Sequence, residues 1–367
     1  MTALHTALMT TLSTHFALSK TRLLCLVVLM AGLAQSRTVN LSHLAGHLPG
    51  SARYASNYRR LQRFFQFVRL DADRMAQLVV QMLNLERPKC LALDRTNWKI
   101  GSTDVNILML AIVTRRFRVP LLWTFLPHQG NSDTGHRIGV ALMRRYLALF
   151  DAASITMLLA DREFIGADWM DFLCENKINF VIRVKIDMTI TLDDGRTWSF
   201  ASLLRRKRAR TAPAIGQGHL NGTSDPAKHP VQFAAKRLKS DEWLIVVTNR
   251  QDARQALNDY RKRWAIECLF GDAKTRGLNI EDTRIRSHDK LSCLLVVVTL
   301  AMAWAYRCAT KTMGMKAVKR KTHGRREKSW FRIGLDALRN WIINAPANAI
   351  KAWCDRWPIR LKITSAT

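Results

Sequence analysis

Residues 89–126 read KCLALDRTNWKIGSTDVNILMLAIVTRRFRVPLLWTFL. Three nearly continuous apolar runs stand in this stretch: CLAL at 90–93, ILMLAIV from Ile107 to Val113, and VPLLWTFL from Val119 to Leu126. Short runs of this kind, without polar alternation, are how strands buried on both faces read. Two more follow, ITMLLA from Ile155 to Ala160 and NFVIRVK from Asn179 to Lys185. The intervals between them carry helical patterns, Asp133 to Phe150 with Ser132 or Asp133 as N-cap, and Ala167 to Asn176. Three strands, a helix, a strand, a helix and a strand predict an α/β core.

Towards the N-terminus the period changes. Residues 1–85 carry helical apolar spacing through Leu8 to Leu18, Leu23 to Leu33 and Met75 to Leu85. The segment from Thr38 to Phe67 reads as two helices around the breaker Pro49-Gly50. The second carries Arg53, Tyr54, Asn57, Tyr58, Arg59, Arg60 and Arg63, with Leu61, Phe64 and Phe65 inward. Such a helix suits a major groove, or is an ordinary basic amphipathic helix.

Towards the C-terminus, DMTITLDDGRTWSF predicts a hairpin turning at Asp194-Gly195. The basic run RRKRAR (Arg205 to Arg210) and a Gly/Pro-rich stretch to Pro230 follow, then two strands in VQFAAKRL and EWLIVVTNR. Ile285 to Cys308 reads as an apolar helix, Lys311 to Lys328 as a basic loop, and Trp330 to Trp357 as a closing helical pair. The division expected is 1–85 helical and DNA-binding, 86–185 the first part of the core, 186–249 a β-rich insertion, 250–284 the rest of the core, and 285–367 a helical C-terminal region.

Lys and Arg outnumber Asp and Glu by 58 to 28, a formal charge of +30 in 367 residues. The excess runs from Arg22 to Arg360 rather than in one tail, so a polyanionic partner is expected, nucleic acid first and an anionic membrane surface second. The apolar runs Leu23 to Ala34 and Leu291 to Ala305 are too short to span a bilayer, and no signal peptide pattern opens the chain. A cytosolic protein is expected. The seven cysteines are scattered and never spaced CxxC, which argues against zinc and a disulfide framework and for reduced core residues.

Chemistry concentrates in DYRKRWAIECLFGDAKTRGLNIED, Asp259 to Asp282. At about 100° per residue, Tyr260, Arg263, Glu267 and Lys274 fall within an arc of about 60° on one helix. Trp264, Ile266, Leu269 and Phe270 make the other sides apolar, so the helix should be buried. Its polar stripe then faces a metal beside a phosphate backbone, or closes on itself through a Glu267–Arg263 pair. Asp94 directly follows LAL and Asp161 directly follows TMLLA, each at or near the end of a buried strand. Two such strands side by side, with Glu267 as a third acid, would make a two-metal site for phosphoryl transfer. Each Asp also suits a turn or cap, and Glu163 rivals Asp161.

ALDRTNW around Asp94, LLADREF around Asp161, and Tyr-x2-Arg-x3-Glu-x6-Lys at 260, 263, 267 and 274 resemble the signature blocks of the insertion-sequence-four family of bacterial DDE transposases. The resemblance extends from about residue 40 to Trp357 and is weakest before that. It implies a ribonuclease H-like core with a β insertion between the second and third acids, and two Mg²⁺ ions, replaceable by Mn²⁺. The implied substrates are inverted-repeat transposon ends and target DNA, held by a homodimer in a cut-and-paste cycle through a hairpin intermediate. By that pattern Asp94, Asp161 and Glu267 are catalytic metal ligands. Tyr260, Arg263 and Lys274 hold phosphates, Trp243 stacks on a flipped base, and Arg183 and Lys185 add contacts. The run at 205–210 has no counterpart role. A tyrosine recombinase using Tyr260 lacks the expected Arg/His constellation, and a DNA-binding protein or repressor with an inactive site explains the charge equally well.

Overall fold

The computed structural model describes residues 2–85, 89–127, 134–205, 214–221, 227–322 and 324–355. The expected N-cap at Ser132 or Asp133, residues 206–210 of the basic run and Trp357 lie outside them. The chain divides into two compact units, one formed by residues 1–87, 100–103 and 271–367, the other by residues 88–99 and 104–270.

The first unit opens with α1 (Ala3–Ser13), α2 (Lys20–Ser36), α3 (Leu41–Ala45), α4 (Tyr54–Phe67) and α5 (Ala72–Met82). Local chemistry sets their ends. Asp71 accepts hydrogen bonds from the amides of Asp73 and Arg74 at the start of α5, and α2 stops where Arg37 turns left-handed. Helix α4 buries Leu61, Phe64 and Phe65 and leaves Arg59, Gln62 and Arg63 exposed.

The second unit holds one mixed sheet. Its strands are β1 (Lys89–Ile100), β2 (Thr103–Val113), β3 (Arg118–Leu126), β4 (Ile155–Ala160), β5 (Phe180–Val184), β6 (Thr189–Leu192), β7 (Thr197–Ser199), β8 (Ala214–Leu220), β9 (Val231–Arg237) and β10 (Trp243–Thr248). Helix α6 (Thr134–Leu149) precedes β4, α7 (Ala167–Glu175) precedes β5, and the short α8 (Phe200–Leu204) follows β7. The order across the sheet is β3-β2-β1-β4-β5-β10-β9-β8-β6-β7. Strands β1, β4 and β5 pair in parallel, and β10 returns antiparallel against β5.

The apolar strands thus form the sheet centre as their composition requires, with Leu91, Leu93, Leu158, Leu159, Val181 and Ile182 sealed from solvent. Some details differ from the sequence expectation. β1 continues past Asp94 to Ile100, beyond the end of its pairing with β4 at Leu93. The Gly/Pro-rich stretch, for which no strand was expected, contains β8, whose glycines lie flat against neighbours: a Cβ at Gly216 would stand 2.4 Å from the Phe233 ring. Strands β6 to β10 extend the central sheet.

Helix α9 (Ala253–Tyr260) runs through a short 3₁₀ turn at Arg261–Arg263 into α10 (Trp264–Ala273). The single helix expected to carry Tyr260 to Lys274 is therefore interrupted at Arg261–Arg263, and Lys274 lies beyond its end.

Returning to the first unit, α11 (His288–Met313), α12 (Trp330–Asn344) and α13 (Pro346–Cys354) complete it. Helix α11 is apolar on every side because it is central. It packs on α2, α5, α12 and α13, and at Gly334 of α12 a Cβ would stand 1.8 Å from the Ala305 carbonyl oxygen, so only glycine permits the approach. The helix outruns the apolar stretch seen in the sequence, and it is long and apolar enough to cross a membrane. Its most apolar window, of mean hydropathy 1.8, is 89% buried inside the protein. Of the cysteines, Cys25, Cys293 and Cys308 are core residues, whereas Cys354 is exposed.

Candidate active site

Parallel pairing of β1 with β4 ends at Leu93 opposite Ala160. The next residue on each strand is an aspartate, so register alone brings Asp94 and Asp161 side by side. Asp94 is 6% exposed. Its carboxylate accepts from the Arg95 amide at 2.8 Å, and Asp161 accepts in the same way from the Arg162 amide at 2.8 Å.

The end of α9, the 3₁₀ turn after it and the start of α10 supply the groups that face them. Arg263 donates to Asp94 at 2.6 Å and lies 3.6 Å from Asp161 and 3.4 Å from Glu267, one turn further along α10. The buried Tyr260 hydroxyl donates to Asp161 at 3.1 Å, and the Arg263 guanidinium lies 5.8 Å from the centre of its ring. The Glu267–Arg263 pair considered from sequence exists, but it is one arm of a four-residue cluster rather than a closed pair.

Burial pushes the Asp94 carboxyl up to about 7, against the pull of Arg263 and with the push of Glu267. Burial also raises the Tyr260 phenol, Arg263 opposing and Asp161 adding to the rise. Burial alone would lower the Arg263 guanidinium, but Asp94 first, then Tyr260, Asp161 and Glu267, hold it above the ordinary value. One guanidinium thus faces three carboxyl side chains.

Glu163, the rival of Asp161, is occupied elsewhere. It pairs with Arg95 at 2.9 Å, a bridge joining the residue after Asp94 to the loop after β4. Burial raises its carboxyl and Arg95 pulls it down. The sequence reading missed this pair, whose partners lie just past the last paired residues of β1 and β4.

The remaining expected residues are dispersed. Trp243 opens β10 half-buried, opposite Arg237 of β9, whose guanidinium lies 6.0 Å from the indole centre. It is not a core residue. Arg183 on β5 pairs with Glu242 at 2.7 Å and its charge reaches Tyr260, while Lys185 is exposed. Lys274 pairs with Glu281 at 3.3 Å. Trp264, expected to cover the buried side of its helix, is 67% exposed, because the 3₁₀ turn rotates it off the apolar face formed by Ile266, Leu269 and Phe270.

In the first unit a cavity of about 620 Å³ opens between α4 and the segment leading into α11, lined by Tyr58, Gln62, Gln66, Arg284, Arg286 and Lys290 among others. No contiguous sequence signal marks it, since its walls meet only in the fold.

Three carboxylates are a hard-oxygen donor set of the kind Mg²⁺ and Mn²⁺ prefer. Among the described residues no three of His, Cys, Asp or Glu converge as a ready cage. The guanidinium of Arg263 stands among the acids instead, so the donor chemistry fits divalent cations once Arg263 turns aside. A model of the family described as transposase DDE domain matches residues 86–304. No curated protein matches the chain.

Proposed function

The chain belongs to the transposase DDE domain family, and from that premise we propose that it is a cut-and-paste DNA transposase of the insertion-sequence-four branch. The family implies a ribonuclease H-like fold, and on this reading residues 186–249 are an insertion between the second and third acids. The observation that carries the proposal is the convergence of Asp94 from β1, Asp161 from the end of β4 and Glu267 from α10 on one guanidinium.

Two Mg²⁺ ions, or Mn²⁺ in their place, held by these acids would supply Lewis acidity at a phosphate and a more acidic water. Asp94, nearly sealed from solvent, anchors the site, and Tyr260 fixes the orientation of Asp161 through its hydroxyl. Arg263 leaves the acids for a phosphate oxygen when DNA arrives, and Lys274 holds a second phosphate. Water opens one strand and leaves a 3′-OH. That hydroxyl attacks phosphorus in the opposite strand, closing a hairpin on the transposon end and releasing the flanking DNA. Water reopens the hairpin, and the restored 3′-OH attacks target DNA. Trp243 receives the base extruded at the hairpin, with Arg183 and Lys185 on the neighbouring backbone.

Double-stranded DNA is thus the partner, as inverted-repeat ends and as target, bound by a homodimer in the cytoplasm. Helix α4 and the cations of the cavity beside it, Arg284, Arg286 and Lys290, are the end-binding surface. The test is a labelled duplex carrying the terminal repeat that flanks the gene, incubated with the purified chain and Mg²⁺. A nick followed by a hairpin product is expected. Specific binding with no metal-dependent cleavage would reduce the chain to a DNA-binding protein.

A further inference from the structure

Between Lys316 and Lys328 the chain carries seven Lys and Arg residues against one acid, Glu327. This stretch was expected to be a loop, and the function above does not use it. It forms a small antiparallel hairpin. The Glu327 amide donates to the Lys319 carbonyl at 2.9 Å, the Lys321 amide to the Arg325 carbonyl at 2.9 Å, and the Gly324 amide to the Lys321 carbonyl at 2.8 Å. Gly324, at φ +77°, takes the left-handed turn position.

Those bonds bracket an Arg320–Arg326 bridge, making the two arginines a non-hydrogen-bonded pair. In such pairs the Cα atoms lie about 4.5 Å apart and the side chains are closest. Like charges directly opposite one another disfavour the pairing. A polyanion lying across them turns that repulsion into attraction. Arg320 spends one N–H on the Gly324 carbonyl, and Lys328 is taken by Asp336 at 3.0 Å. Every described residue from 319 to 328 is exposed.

We propose that the two arms of the hairpin, residues 319–322 and 324–327, are a sequence-independent contact for the phosphate backbone of duplex DNA. The inference rests on the reading of the chain as a DNA-processing protein, but not on its chemistry at the acids. Arginine forks match phosphate oxygens, and a two-stranded ribbon fits a major groove about 12 Å wide. A lipid surface is a poorer fit, because the described hairpin residues include no apolar side chain to insert.

The test uses the full chain and a duplex that lacks any inverted repeat, so that it needs no cleavage. Affinity is measured against salt for the wild type and for the triple variant Arg320→Gln, Lys321→Gln, Arg326→Gln. The slope of log affinity on log salt should fall by about 3 with the melting temperature unchanged, each phosphate contact contributing about 0.9. An unchanged slope in a folded variant overturns the proposal. So does an equal loss of binding to polyglutamate at unchanged DNA slope, which would assign the hairpin to an acidic protein. Should the triple variant fail to fold, hydrogen exchange on the wild type decides. Slower exchange of the Lys321 and Glu327 amides on adding the duplex supports the contact, and unchanged exchange overturns it. Loss of end cleavage in the wild type would leave these results standing and count only against the proposed transposition chemistry.

Discussion

Arg263 donates to Asp94 at 2.6 Å, with the two side chains 11% and 8% exposed, although 169 positions separate them. The same guanidinium also meets Asp161 and Glu267. A cation thus stands where the proposed function requires divalent metal, and metal and arginine must exchange places.

Arg263→Ala is therefore expected to leave three acids facing one another. Removing one partner of a buried pair costs about 3 to 5 kcal/mol, so the melting temperature in chelator should fall clearly. Mg²⁺ or Mn²⁺ without DNA should then stabilise the variant more than the wild type, since no guanidinium competes. Equal metal-induced shifts in thermal scans would show that Arg263 does not share the metal position.

Glu163→Ala should cut DNA far better than Asp161→Ala, because the ion pair of Glu163 is with Arg95 and not with Arg263. Its effect should be a modest loss of stability through the bridge from β1 to the loop after β4. Comparable loss of cleavage in both variants would make Glu163 a member of the site.

The aspartates were legible in the sequence because each abuts an apolar run, and strand-end carboxylates are costly to bury without purpose. Their adjacency was not, since register between β1 and β4 is a property of pairing and not of either strand. The stripe from Tyr260 to Glu267 was legible by period. Lys274 was projected onto the same face only by assuming an unbroken helix, which the 3₁₀ turn and the end of α10 at Ala273 refute. The strand at Ala214–Leu220 was hidden by its glycines, and the hairpin at 319–327 by a composition that repels itself. The cavity beside α4 draws on segments far apart in sequence, so no local pattern could announce it.

Lys274→Ala should weaken end binding for all sequences and lower the salt slope by about 1. Its present partner, Glu281, is partly exposed, so only a small change in stability is expected. A stability loss with no change of slope would assign Lys274 to the fold.

Trp243→Ala should leave the first nick nearly intact and slow hairpin formation by about tenfold for each 1.4 kcal/mol of stacking lost. Extruding a base costs a few kcal/mol, so an abasic nucleotide at the flipped position should restore part of the rate. Equal loss of nicking and hairpin formation, with a lower melting temperature, would make the indole a packing residue only.

The most direct measurement is metal-dependent cleavage by Asp94→Ala, Asp161→Ala and Glu267→Ala, with end binding recorded on the same preparations. Cleavage should vanish in all three while binding persists, because phosphate contacts by the basic surface supply most of the affinity. A folded variant that still cuts at near the wild-type rate would remove that acid from the site and contradict the three-carboxylate account.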